Sequence, residues 1–162
     1  MKKTLYMLIG LKGSGKSYIG ALVDEMTDIR FLRVEPIWVN YLNGADRSKS
    51  GWEIVEEAID NQFASYDRVM IESLGAGEEF QAFFNSLSQK YAIKLIKVSA
   101  NLKTCLDRVK HRDQANHIPI SDDRVEEINN IAQHVEYVWD AVIDNNGPAT
   151  ASEIIRVIEA IS

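Results

Sequence analysis

A glycine-rich segment near the N-terminus constrains the fold of this chain more than any other feature of its sequence. Residues 10–17 read GLKGSGKS and match the pattern G-x-x-x-x-G-K-[ST] at every fixed position. The apolar run at residues 5–9 precedes the segment and has the length of a buried strand. Apolar residues then recur at helical spacing between residues 19 and 26. The sequence therefore predicts a strand, a phosphate-binding loop and a helix in direct succession.

Each residue type in this loop has a physical role in holding phosphate. The glycines allow backbone angles and close approaches that side chains would block. Successive N–H groups then point inward and, with the N-terminus of the following helix, form a nest for anions. In this pattern Lys16 reaches the β- and γ-phosphates, and the hydroxyl of Ser17 ligates Mg²⁺. The predicted nucleotide-binding residues of the loop are Gly10, Gly13, Ser14, Gly15, Lys16 and Ser17.

Strand-like and helix-like segments alternate along the rest of the chain. Four further apolar runs are typical of strands, at residues 31–34, 68–72, 93–98 and 141–144. Helical patterns lie between them and after the last one, and the longest runs from residue 122 to about 139. This alternation predicts an α/β fold, a parallel sheet with helices on both faces and ligand sites at the carboxyl ends of its strands. With 162 residues and no linker-like segment, we expect one domain over residues 1–162.

Composition excludes several classes of function. The formal net charge of −6 and the absence of a basic stripe argue against binding to long nucleic acid. Cys105 is the only cysteine, so no internal disulfide is possible, and its amphipathic setting is typical of a core thiol. His111, His117 and His134 have no metal-like spacing relative to it. No stretch approaches the roughly 20 apolar residues of a membrane span, so we expect a cytoplasmic protein.

The phosphate loop and the arginine-containing segment at residues 105–112 resemble those of the small P-loop kinases, which include adenylate-type, shikimate, gluconate and antibiotic kinases. Length and element order agree with that group over the whole chain. The resemblance implies a three-layer α/β/α sandwich with a five-stranded parallel sheet in the order 2-3-1-4-5. It also implies transfer of the γ-phosphate of MgATP to a small-molecule acceptor. A lid is expected at about residues 112–121, and an acceptor-binding segment at about residues 36–60.

Two glutamates follow predicted strands at positions that the resemblance makes functional. Glu72 ends the third predicted strand, where the group places an acid that supports the Mg²⁺ shell. Glu35 follows the second, where many hydroxyl-phosphorylating members place an acid that accepts the substrate proton. The alternatives are a solvated strand-end acid for Glu72 and a capping role before Pro36 for Glu35.

Arg108 and Arg112 are four residues apart and therefore share one face of a predicted helix. By resemblance, Arg108 stacks on the adenine and Arg112 covers the transferring phosphoryl group, roles that suit a planar and permanently charged guanidinium. The alternative is a solvated basic helix face. Asn146 follows the fifth predicted strand, where the group places the loop around the adenine ring. No guanine-reading N-K-x-D motif occurs, so ATP is favoured over GTP.

The acceptor is defined only in outline. Trp38, Tyr41 and Trp52 bracket the expected acceptor segment and belong either to the core or to an aromatic acceptor wall. The turn after the third predicted strand contains no arginine, and in the acceptor segment only Arg47 and Lys49 carry positive charge. A hydroxyl acceptor is therefore favoured over an acceptor phosphate.

Two other functions stay open on the sequence alone. The first is a nucleotide-dependent switch or slow ATPase that regulates a partner, which would lack an acceptor pocket and show an exposed apolar patch. The second is a kinase of nucleic-acid ends or of a protein, which would need a basic groove leading to the γ-phosphate. Either a monomer or a homodimer is compatible with the sequence.

Overall fold

The computed structural model describes residues 3–44, 48–111 and 121–162 of the chain. These residues form a five-stranded, all-parallel sheet in the order β2-β3-β1-β4-β5, which confirms the predicted topology. The strands are β1 Thr4–Ile9, β2 Arg30–Phe31, β3 Arg68–Ser73, β4 Ala92–Ser99 and β5 Ala141–Asp144. The helices are α1 Lys16–Met26, α2 Glu35–Leu42, α3 Gly51–Phe63, α4 Glu78–Lys90, α5 Leu102–Lys110, α6 Asp122–Ala132 and α7 Ala151–Ala160.

Strand β1 occupies the centre of the sheet and is covered on both faces. It pairs with β3 on one side and with β4 on the other, so that Leu8 lies between Glu72 and Ile96. Every side chain from position 5 to position 9 is buried. An unbroken apolar run of this kind is what a parallel strand covered on both faces requires. The carboxyl end of β1 therefore carries the glycine-rich loop to the middle of the sheet edge.

Alternating side chains of β1 divide the apolar core into two halves. Leu5, Met7 and Ile9 pack with buried residues of α3 and α4 on one face. Tyr6 and Leu8 pack with buried residues of α1 and α7 on the other face. The result is the predicted three-layer α/β/α sandwich. None of the described helices is long and apolar enough to cross a membrane.

The second strand is shorter than the sequence pattern over residues 31–34 predicts. Strand β2 contains only two residues, and α2 begins at Glu35 with Val34 as its N-cap residue. Pro36 lies in the first turn of α2, where a missing N–H group costs nothing because that group has no partner within the helix. The pair Glu35-Pro36 therefore starts a helix, whereas the sequence suggested that it only ends a strand.

The helix predicted from residue 122 to about 139 ends at Ala132. Beyond it, Val135, Tyr137 and Trp139 are half-buried against the core on the α3 and α4 face, whereas the residues between them are exposed. This alternation has the period of an extended chain, and the long helix was therefore a wrong prediction. The predicted lid lies outside the described residues except for Ser121, the N-cap residue of α6.

Replacement of Ile158 by alanine tests the packing of α7 against the sheet. Ile158 is fully buried, so Ile158→Ala leaves a cavity and should lower the free energy of unfolding by about 2–5 kcal/mol. Ile131→Ala in α6 is the matched control, because this isoleucine is 61% exposed and its loss should change stability little. Urea unfolding followed by circular dichroism measures both. Equal effects of the two changes would contradict the described position of α7.

Candidate functional site

The glycine-rich loop joins β1 directly to the first turn of α1. Gly13 and Gly15 have positive φ angles of 87° and 99°, a conformation that glycine adopts without steric penalty. Gly15 is the N-cap residue of α1, and Lys16 is the first residue of the helix. The N–H groups of that first turn have no acceptors within the helix, so they are available to a bound anion. The loop therefore has the geometry that its sequence predicts.

Neighbouring backbone and side chains also require glycine at these positions. A Cβ atom on Gly13 would lie 2.2 Å from the carbonyl oxygen of Cys105 in α5, a residue that is itself buried. A Cβ atom on Gly15 would lie 2.2 Å from the side-chain nitrogen of Asn145. At Gly10 a Cβ atom would come within 2.6 Å of the Val98 carbonyl oxygen. The loop is thus packed closely against α5, β4 and the segment after β5.

Two buried asparagines hold the loop by its backbone, and the sequence did not reveal either. The side chain of Asn129 in α6 accepts a hydrogen bond from the Lys12 amide at 2.9 Å and donates one to the Lys12 carbonyl at 3.0 Å. Asn145 donates to the Ser14 carbonyl at 2.7 Å and accepts from the Ala149 amide at 2.8 Å. A signal was present for Asn129, because it takes a buried position four residues after Val125 in the apolar stripe of α6.

Arg108 connects the loop to the segment after β5. Its guanidinium donates to the carbonyl oxygens of Gly13 and Ser14, both at 3.3 Å, and to those of Asn145 and Asn146, at 2.6 and 3.1 Å. The N–H groups of a guanidinium point outward in its own plane, so these bonds are compatible with a ring stacked on its face. The predicted adenine contact of Arg108 therefore stays a prediction. Asn146 also accepts a hydrogen bond on its side chain from the Asn101 amide at 2.6 Å.

The ammonium group of Lys16 lies against its own loop. It donates to the carbonyl oxygens of Gly10 at 2.6 Å and Leu11 at 2.8 Å. Burial lowers the pKa of Lys16 to about 8, and the positive charge of Lys12 adds to this effect, whereas Glu72 and Glu35 oppose it. Lys16 is thus a largely desolvated cation with two carboxylates near it.

Glu72, at the carboxyl end of β3, is almost completely buried. Burial raises its pKa to about 7, and the negative charge of Glu35 adds to the rise, whereas Lys16 opposes it. One carboxylate oxygen, Oε2, has no hydrogen-bond partner among the described residues. A buried oxygen of this kind carries a desolvation cost that a cation could relieve.

Ser17 and Glu72 line the same cavity and fit a Mg²⁺ ion that is shared with phosphate groups. Magnesium typically takes only one or two protein oxygens and completes its shell with phosphates and water. The described residues contain no cluster of three or more His, Cys, Asp or Glu side chains that would form a metal centre alone.

Glu35 and Lys12 form a second charged pair at the rim of the loop. Lys12 Nζ lies 4.0 Å from Glu35 Oε2, and both side chains are largely withdrawn from solvent. Glu35 reaches this place because it lies in the first turn of α2. Lys12 occupies a variable position of the loop motif, so the pattern gave no reason to single it out.

One cavity of about 380 Å³ brings most of the predicted site residues together. Its wall includes Gly13, Gly15, Lys16, Ser17, Glu35, Glu72 and Arg108. Three predicted nucleotide-binding residues, Gly10, Ser14 and Asn146, are not among the described residues that line it, and the Ser14 side chain is buried. Arg112 lies outside the described residues, as does Arg47.

The structure is similar to those of two kinases of small molecules and of an antibiotic resistance protein. A gluconokinase from Sinorhizobium meliloti 1021 shares 16% sequence identity, with a TM-score of 0.61 over 98% of this chain and 91% of that one. The APS kinase of Mycobacterium tuberculosis, solved with AMPPNP and APS, shares 14% identity with a TM-score of 0.60 over 98% of each chain. A tunicamycin resistance protein from Deinococcus radiodurans shares 13% identity with a TM-score of 0.67 over 99% and 96%.

These likenesses show that the chain has the fold of the small P-loop kinases, as its sequence suggested. At such low identity they show the fold alone. No protein-family model matches the sequence, and no curated protein matches it.

The raised pKa of Glu72 predicts a specific dependence of stability on pH. Between its usual pKa of 4.5 and about 7 the folded state binds more protons than the unfolded state, so the free energy of unfolding should fall as pH rises through this range. Glu72→Gln should remove that fall, on the order of 1–3 kcal/mol, because the amide cannot ionise. Urea unfolding with EDTA present, at pH values across this range, measures it. The exposed Glu25→Gln is the control. Parallel curves for the wild type and Glu72→Gln would contradict the prediction.

Proposed function

We propose that this protein is an ATP-dependent phosphotransferase that moves the γ-phosphoryl group of MgATP to a hydroxyl group of a small molecule. One observation carries the proposal: a single cavity contains the phosphate loop with Lys16, the carboxylates of Glu35 and Glu72, and an apolar chamber beside them. Binding of a nucleotide alone would not require that chamber. The fold shared with a gluconokinase and an APS kinase supports the same conclusion.

The loop residues bind and orient the nucleotide phosphates. The amide groups at the start of α1 donate to phosphate oxygens, and Lys16 turns from the Gly10 and Leu11 carbonyls towards the β- and γ-phosphates. Ser17 and Glu72 would hold Mg²⁺, which would supply positive charge beside the β- and γ-phosphates. The positive charge of Lys16 favours the ionised form of Glu72, and a cation held there would add to this effect.

Glu35 acts on the acceptor hydroxyl as a general base. The acceptor oxygen forms a bond to the γ-phosphorus, the bond from that phosphorus to the bridging oxygen of ADP breaks, and the hydroxyl proton passes to the Glu35 carboxylate. Lys12, 4.0 Å from Glu35 Oε2, places a positive charge beside this carboxylate and orients it before transfer. Charge is thus supplied near both the acceptor and the leaving group.

Two arginines complete the proposed site. Arg108 holds the loop to the segment around Asn146 and, by resemblance, stacks on the adenine. Arg112 would cover the transferring phosphoryl group from the lid, and this role rests on the resemblance alone. A regulatory switch would lack an acceptor pocket, so the chamber next to the loop favours the kinase over that alternative.

Replacement of Lys16 tests the phosphate site. Lys16→Ala should reduce phosphoryl transfer by about a hundredfold or more, because it removes one preorganised electrostatic stabiliser, while the fold stays intact. Formation of ADP from MgATP in a coupled assay measures the loss. Lys103→Ala, on the exposed face of α5, is the control and should retain wild-type turnover. Normal turnover by Lys16→Ala would refute the phosphate-loop assignment.

Replacement of each glutamate by glutamine should impair a different property of the reaction. Glu72→Gln should raise the Mg²⁺ concentration needed for half-maximal activity, since it removes a charge from the metal site. Glu35→Gln should leave the magnesium and ATP requirements nearly unchanged and slow transfer to an acceptor by roughly 10²–10⁴-fold, the range for a general base. Hydrolysis of ATP by water should survive in Glu35→Gln.

Magnesium titrations with and without an acceptor separate the possible outcomes. A shift of the magnesium curve by Glu35→Gln, but not by Glu72→Gln, would reverse the two assignments. Normal transfer by both variants would contradict the roles assigned to Glu35 and Glu72 in the hydroxyl-kinase mechanism.

A further inference from the structure

The part of the cavity away from the phosphate loop has an aromatic wall. Trp38 of α2 and Trp52 of α3 both line it, with ring centroids 5.3 Å apart and planes at 80°. Phe83 of α4 continues the wall, 4.8 Å from Trp52 between ring centroids. Both tryptophans are only half-buried, so part of each indole ring is not covered by the protein. The sequence left open whether the two tryptophans belong to the core or to an aromatic acceptor wall. Their position in the lining of the cavity favours the acceptor wall.

Backbone and side-chain contacts fix the two indole rings. A Cβ atom on Gly51 would lie 2.0 Å from Cζ3 of Trp38, so the glycine allows this ring to rest directly on the first turn of α3. The Trp52 indole nitrogen donates to Glu79 Oε2 at 3.0 Å, which sets the orientation of the second ring. Rigid aromatic surfaces bind ligands at a lower entropic cost than flexible ones.

The cations that line the cavity are all engaged by groups of the protein. Lys16 and Arg108 donate to carbonyl oxygens of the loop and its surroundings. Lys12 lies beside Glu35. The first two belong to the proposed nucleotide site, and Lys12 is balanced by Glu35. The described lining therefore offers an anionic acceptor little attraction, whereas its apolar surface suits a neutral one.

We infer that the acceptor is a neutral hydroxyl compound with a flat aromatic or heteroaromatic ring, which packs against Trp38 and Trp52. This inference rests on the proposed function, because it describes the acceptor of the same phosphoryl transfer. The ring occupies the aromatic end of the cavity, and the hydroxyl points to Glu35 at the loop end. A volume of about 380 Å³, shared with the terminal phosphate, limits the acceptor to a small molecule of roughly one or two rings.

The reaction is the transfer described above, with ATP as the donor. The oxygen of the aryl-bearing alcohol bonds to the γ-phosphorus, ADP leaves, and the proton goes to Glu35. The product is a phosphate monoester of the alcohol.

Two panels of acceptors test the inference. Benzyl alcohol, 2-phenylethanol and thymidine are neutral and carry rings, whereas glycerol, glucose and gluconate are ring-free or non-aromatic polyols and a sugar acid. Formation of a phosphate monoester from MgATP is followed by ³¹P NMR. The enzyme should phosphorylate the aromatic alcohols of the first panel with kcat/KM values at least about tenfold higher than those for the second panel. One or two aromatic contacts can supply this factor.

Variants of the wall provide the structural control. Gly51→Ala should displace Trp38 and raise the KM for the ring-bearing acceptor by about tenfold while the KM for ATP changes little. Gly147→Ala is the matched control, because a Cβ atom there meets nothing within 4 Å, and it should leave the acceptor KM unchanged. Equal effects on both KM values in Gly51→Ala would contradict the acceptor wall.

Tryptophan fluorescence gives a readout that does not depend on turnover. Of the three tryptophans, only Trp139 lies outside the cavity lining. Ring-bearing probes should quench the tryptophan fluorescence of the wild type. In a Trp38→Phe/Trp52→Phe variant, which keeps only Trp139, the fluorescence should decrease no more than light absorption by the probe accounts for.

The two readouts separate failure of the inference from failure of the proposed function. Preferred phosphorylation of glucose or gluconate would overturn the aromatic acceptor and leave the kinase assignment intact. Quenching of Trp38 and Trp52 without any phosphate monoester would support the ring site and contradict the transfer reaction. Absence of quenching by every ring-bearing probe would overturn the inference.

Discussion

Hydrogen bonds to the backbone of the phosphate loop, made by side chains from other elements, are the interaction on which the rest of this site depends. Asn129 holds Lys12 at both its amide and its carbonyl, and Asn145 and Arg108 hold the Ser14 carbonyl. A loop built from glycines has high conformational entropy when it is not restrained. These contacts offset that cost and leave the amide groups at the start of α1 to receive an anion. They also tie α5, α6 and the segment after β5 to the glycine-rich loop.

The charges around the loop form one coupled set, and each depends on the others. Burial disfavours the charged forms of both Lys16 and Glu72, yet each favours the ionised state of the other. Replacement of one member by an apolar residue would leave its partner as an isolated charge in a dry environment, which is costly. Such an arrangement contributes little to stability in the free protein. It is suited to a ligand that brings both phosphate and a divalent cation.

The fold is retained in kinases that share only 11–20% of their residues with this chain. A parallel sheet needs apolar strands and amphipathic helices in the correct order, and many sequences meet that requirement. The phosphate loop tolerates fewer residue types, because a Cβ atom on Gly10, Gly13 or Gly15 would lie only 2.2–2.6 Å from an atom of β4, α5 or Asn145. In the reaction proposed above, the choice of acceptor rests on residues outside the loop, such as Trp38 and Trp52.

The sequence by itself determined the elements whose signals are local. The loop motif is contiguous, and strand and helix periods repeat over a few residues, so β1, α1, the sheet edge and the positions of Lys16, Ser17 and Glu72 could be predicted. Local patterns fail where two periods coincide, as for Val135 and Trp139, whose spacing of four suits a helix face and an extended strand equally. Only the tertiary structure decided which distant groups meet, including Asn129 with Lys12, Arg108 with Asn145, and Trp38 with Gly51. These contacts depend on how separate elements pack, and no short stretch of sequence contains that information.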